Sequence, residues 1–189
     1  MLTRRIDATT SRADRRRRAW AVTLLGTAAS AYALDAFAVA AGGVLAASGL
    51  LAGLGRPLLL TVLAVTYALW AAGMRANLAA NWSLLTRTGA STNALSKAAH
   101  DIARARGAGA RTRRRAASGA YVLTEVAKEV PYLVSAFGAA LLSEAVSARE
   151  AIAFLAGTNV GAAVYEYGVA RATSRFLRRR ARESRITAR

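Results

Sequence analysis

The sequence predicts an all-α integral membrane fold: a bundle of four transmembrane helices in two hairpins, joined by a cytoplasmic linker carrying a short amphipathic helix. Three observations predict it. Four apolar stretches, Ala19–Gly55, Pro57–Leu85, Ala120–Val146 and Ala151–Ala170, match or exceed the roughly 20 residues needed to cross a hydrocarbon core of about 30 Å. The 189-residue chain is 54% hydrophobic with a mean hydropathy of +0.26, yet its formal charge is +17. That charge is segregated: 23 of the 27 Lys and Arg fall within Met1–Arg18, Leu84–Ala117 and Arg171–Arg189.

Basic residues stay on the cytoplasmic side of a membrane, so both termini and the middle loop are expected there. Leu54–Pro57 and Ser147–Glu150 are then short external turns. The expected divisions are a basic N-terminal segment (1–18), a first hairpin (19–85), a basic linker (86–117), a second hairpin (118–171) and a basic tail (172–189). The Arg- and Ala-rich, Lys-poor composition points to a GC-rich bacterial genome, hence to a multi-pass protein of a bacterial plasma membrane. With no cysteine, neither disulfides nor thiolate metal sites are available. Arg15–Arg18 and the small residues of Ser30-Ala31-Tyr32-Ala33 trace a signal-peptide outline. The apolar run continues about twenty residues past that point, which favours a retained spanning helix.

The first helix, Ala19–Leu54, is too long for one straight crossing, and Gly42-Gly43 offers a hinge. Pro57 suits the first turn of the second helix, where an amide hydrogen is unneeded. Trp20 and Trp82 mark the cytoplasmic interface. In the linker, Leu95, Ala98, Ala99, Ile102 and Ala105 recur at helical spacing, with Ser91 or Thr92 as N-cap and Gly107 as stop. This helix is expected to lie on the membrane surface. Thr86, Thr88, Gly89, Ser91 and Thr92 before it read as an ordinary hydroxyl-rich cap, the alternative being an anion site. Pro131 interrupts the third helix, Ser118–Val146, and frees one carbonyl. The fourth starts near Arg149, crosses to Arg171 and runs on as the tail.

Charges inside the spans carry the functional information. At 1.5 Å per residue, Asp35, Arg75, Glu125, Lys128, Glu129 and Glu166 all lie roughly 24–32 Å inward from the external turns, with Arg171 one turn deeper. Tyr121, Glu125, Lys128 and Tyr132 form one stripe flanked by Glu129; Tyr67, Trp70, Met74, Asn77 and Asn81 form another; Asn159 and Glu166 share a face. Such stripes should point into the bundle. Four acids against three bases leave one net negative charge, so the layer is nearly self-neutralising. It is either a polar site able to bind an ion, a proton or a polar solute, or a set of structural ion pairs. Its metal preference, if any, is not specified by the sequence.

Ala153, Gly157 and Gly161 recur every four residues, and Gly49 and Gly53 share that spacing. Small residues so placed let a second helix approach closely, within the bundle or across a homo-oligomer. The arginine runs are expected to contact anionic lipid headgroups; without interleaved aromatics they do not suggest specific nucleic-acid binding. No nucleophile–base–acid set appears, and no cofactor is called for. The function expected is transport or permeation of an ion or small polar solute through the cytoplasm-side layer, by an oligomer. The rival is a non-catalytic scaffold or accessory subunit. A metal-dependent lipid-modifying enzyme is a third reading that lacks the expected Asp-rich spacing.

Overall fold

The computed structural model describes residues 11–142 and 146–186. They form five helices and, among the described residues, no strand: α1 (Arg12–Ala47), α2 (Arg56–Thr88), α3 (Ala94–Ala105), α4 (Ala110–Leu142) and α5 (Ala148–Ile186). The four long helices run about 50–59 Å at 1.5 Å per residue. Of these, α1 and α2 are long and apolar enough to cross a membrane. Glu125, Lys128 and Glu129 interrupt the apolar part of α4, and Asn159 and Glu166 that of α5, so neither carries a comparably apolar window.

The helices extend further into the basic segments than hydropathy alone indicates. Ser11 caps α1 by accepting from the Asp14 amide, so Arg12–Arg18 already belong to its first two turns. Likewise α4 begins at Ala110 within the expected linker, and α5 continues to Ile186. Arg and Ala are both strong helix formers. Hydropathy marks the lipid-length part of a helix and not its end.

At the opposite end, α1 stops at Ala47, and Gly49 leaves it with a φ of +67°. Gly49 and Gly53 therefore lie in the connecting turn and not on the first helix. Neither has a neighbour for an added Cβ. Pro57 sits in the first turn of α2, as expected. Ser147 and Glu150 form a reciprocal capping box at the start of α5, with Ser147 N donating to Glu150 Oε2 at 2.7 Å and Glu150 N to Ser147 Oγ at 3.2 Å. The Arg149 guanidinium clasps the neighbouring turn through the Ala52 and Leu54 carbonyls.

Packing departs from the expected pair of hairpins. α1 and α2 both pack mainly on α5 and barely touch each other, while α3 packs on α4. The small-residue stripe makes this geometry. A Cβ on Gly157 would stand 2.6 Å from the Ala41 carbonyl oxygen, and one on Gly161 would stand 3.0 Å from Ala38 Cα. Gly42 is equally confined by Phe154 and Thr158. Ala153 is buried in the same seam. The stripe is thus used within the chain, and α1 passes through Gly42-Gly43 as one continuous helix. α4 is likewise continuous through Pro131.

Two small apolar clusters fill the interior. Leu34, Ala38, Trp70, Ala162 and Ala163 join α1, α2 and α5, and Ala136, Ala151 and Leu155 join α4 to α5. Large apolar side chains dominate the outside, with Leu25, Val44, Val134 and Leu142 all exposed.

Candidate functional site

The polar interior begins on α2, where Tyr67, Trp70, Met74, Asn77 and Asn81 face inward as their spacing predicts. Asn77 and Glu166 are 1% exposed, and the Asn77 Nδ2 donates to Glu166 Oε2 and to the Tyr121 hydroxyl at 2.8 Å. Tyr121 in turn donates to Glu166 Oε2 at 3.2 Å. One carboxylate of α5 is therefore held by side chains from α2 and α4. A turn further along α4, Lys128 Nζ bridges both oxygens of buried Glu125 at 3.2 Å. Buried Glu129 follows, and Tyr132 lies beside half-buried Asp35 of α1.

Three buried atoms in this layer have no hydrogen-bond partner among the described residues: Asn77 Oδ1, Glu129 Oε2 and Asn159 Nδ2. Asn159, beside Tyr67, is as buried as Asn77. Unmet polar groups in a buried interior are uncommon, and here all three fall in one layer. No group of three or more His, Asp or Glu converges as metal ligands among the described residues.

Two expected members do not join. Arg75 and Arg171 are exposed. Arg75 stands two residues from Asn77, about 200° around the helix, so the two side chains cannot share a face. Arg171 is five residues from Glu166 and is turned away in the same manner. The interior set is therefore Asp35, Glu125, Glu129 and Glu166 against Lys128 alone, three net negative charges when all are ionised. The near-neutral balance expected from the sequence does not hold.

A second polar assembly closes the basic end of the bundle. Asn81, one turn beyond Asn77, accepts from Ser91 Oγ at 2.7 Å and from the Thr92 amide at 2.9 Å, and donates to Ser96 Oγ at 3.1 Å. Ser91 N donates to buried Thr23 of α1 at 3.0 Å. Ser91 and Thr92 thus spend their hydroxyls and amides largely on Asn81 and Thr23, while the Thr86 and Thr88 hydroxyls donate to carbonyls of α2. The N-cap is Asn93, which accepts from the Ser96 amide, and not Ser91 or Thr92. Gly107, with φ of +75°, follows the end of α3 as expected.

α3 docks by its polar face. Ser96, Lys97 and His100 are buried, whereas Leu95 and Ile102 point outward. Lys97 Nζ lies 4.8 Å from the Trp20 ring and pairs with Asp101 at 2.9 Å, while His100 meets Trp82 edge-on. Burial alone would push the Asp101 carboxyl up; the Lys97 and His100 hydrogen bonds hold it below the ordinary aspartate range. Both tryptophans therefore receive α3 side chains. Sequence reasoning missed this docking, although Ser96, Lys97 and His100 lie on one face at helical spacing and Asn81 extends the Asn77 stripe.

Compared with known protein families, curated proteins and solved structures, the chain matches none.

Proposed function

We propose that the chain is a four-span membrane protein, with both termini on the cytoplasmic side of a bacterial plasma membrane, that moves a proton or small cation through its buried carboxylate layer. The membrane placement is supported by inverted burial: Asn77, Asn159 and Glu166 are enclosed while leucines and valines cover the outside. Lipid tolerates that outer surface, and α4 and α5 can span because their polar groups face their neighbours. The observation that carries the transport reading is the surplus of carboxyl groups. Four acids with one lysine, three of the acids buried, favour bound protons or a cation for charge balance.

The tight α1–α5 seam offers a fixed frame, and the layer beside it holds the unmet Asn77, Glu129 and Asn159 atoms. A homo-oligomer would complete a path that four helices alone barely enclose, through a face other than the Gly157 stripe. The competing scaffold reading is favoured by the Asn77–Glu166–Tyr121 bonds, which tie three helices together.

Proteoliposomes separate the two. Glu129→Gln keeps the side-chain shape and removes a charge that has no cationic partner. Loss of pH-gradient-driven or monovalent-cation flux with an unchanged unfolding midpoint supports transport. Wild-type protein that carries neither, or a variant that carries both as before, leaves the scaffold reading.

A further inference from the structure

At the basic end, α1 and α3 flank a cleft of about 1220 Å³. Its cationic lining comprises Arg12, Arg15, Arg16, Arg17, Lys97 and Arg104; among the described residues that line it, the one acid, Asp101, is engaged by Lys97 and His100. The carboxylate layer uses none of these residues. Gathering like charges one turn apart, as Arg12 and Arg16 are, destabilises a helix unless an anion offsets it.

The cleft is also graded along α1. Arg12, Arg16, Trp20 and Leu24 follow one another at four-residue spacing and all line it. Charge gives way to an amphipathic ring and then to an aliphatic side chain that is 56% exposed. Leu24 stands beside exposed Val22 and Leu25, where the apolar surface of α1 begins. Across the cleft, Arg104 lies one turn beyond His100 on α3. A soluble anion would need only the cationic rim. A cationic rim over an aromatic and then an aliphatic wall matches a phosphate joined to an acyl chain.

We propose that this cleft holds the phosphate of an anionic phospholipid, with its chain descending along Trp20 and Leu24. Guanidinium groups suit phosphate oxygens because their paired donors match the spacing. The site rests on the membrane placement proposed above and is independent of any flux through the carboxylate layer.

Native mass spectrometry of the full chain released from nanodiscs tests it, with phosphatidylglycerol and phosphatidylcholine as paired probes. Wild-type protein should retain one phosphatidylglycerol in preference to phosphatidylcholine. Arg16→Gln with Arg104→Gln should weaken that retention roughly 30-fold, the effect of withdrawing two basic residues from an anionic headgroup. Arg178→Gln with Arg179→Gln, which removes equal charge outside the cleft, should leave it intact. Equal loss in both pairs would reduce the effect to general charge and overturn the site, as would no loss in the first. Displacement by inorganic phosphate would overturn the lipid assignment in favour of a soluble anion. Protein that does not enter nanodiscs at all would overturn the membrane placement itself, and the site with it.

Discussion

The α1–α5 seam and the carboxylate layer are made by the same helix and are built differently. Along the seam, Gly157 and Gly161 let backbone meet backbone with no side chain between. In the layer, where Gly73 of α2 also packs closely on Ala163, the Glu166 carboxylate is held by the tips of side chains from α2 and α4, and nearby polar atoms stay unmet. Close van der Waals approach of backbones fixes a helix pair over many atoms at once, whereas a hydrogen-bond network rests on a few polar tips. One side of α5 is held by backbone contact, and the other adds a network of side-chain hydrogen bonds.

The largest expected effect attacks the seam. Gly157→Val places a side chain where even its Cβ would meet the Ala41 oxygen at 2.6 Å and Gly42 Cα at 2.8 Å. Because those neighbours are backbone, about 3 kcal/mol of stability should be lost. A denaturant titration in detergent reads this, and an unshifted midpoint would break the contrast. Asn77→Leu attacks the layer, stripping Glu166 of its amide donor at a cost of about 2 kcal/mol. If it destabilised more than Gly157→Val, the layer and not the seam would be the frame.

Asp101→Asn probes the docking of α3. The depressed Asp101 carboxyl contributes stability above its unfolded-state value near 3.8 and loses it as pH falls through the lower folded value. The wild-type advantage, about 1 kcal/mol at neutral pH, should therefore vanish in stronger acid, as read by amide exchange in α3. The smallest effect is a control within α5. Nothing lies within 4 Å of a Cβ on Gly168, so Gly168→Ala should stabilise by about 0.5 kcal/mol through helix propensity alone.

The helical class and the inward stripes were legible because both depend on periodicity, which sequence carries directly. Tyr67, Trp70, Asn77, Tyr121 and Glu125 face inward for that reason. Depth alone puts Arg75 in the layer, yet its angle around α2 relative to Asn77 excludes it. The layer's charge surplus follows from Arg75 and Arg171 both being exposed. Which helix pairs with which was not legible, since Gly157 fits a partner of either origin. The docking of α3 is not legible from its apolar spacing, because Ser96, Lys97 and His100 form the buried face through partners more than ten residues away.

That α5 serves both α1 and α2 has a consequence for biogenesis. The ribosome delivers α5 after every helix that depends on it, so α1 and α2 must wait with little mutual contact until it arrives. Closure of the bundle is then one late event, and nascent chains stalled before Ala148 should be recognised and cleared by quality-control proteases as orphans.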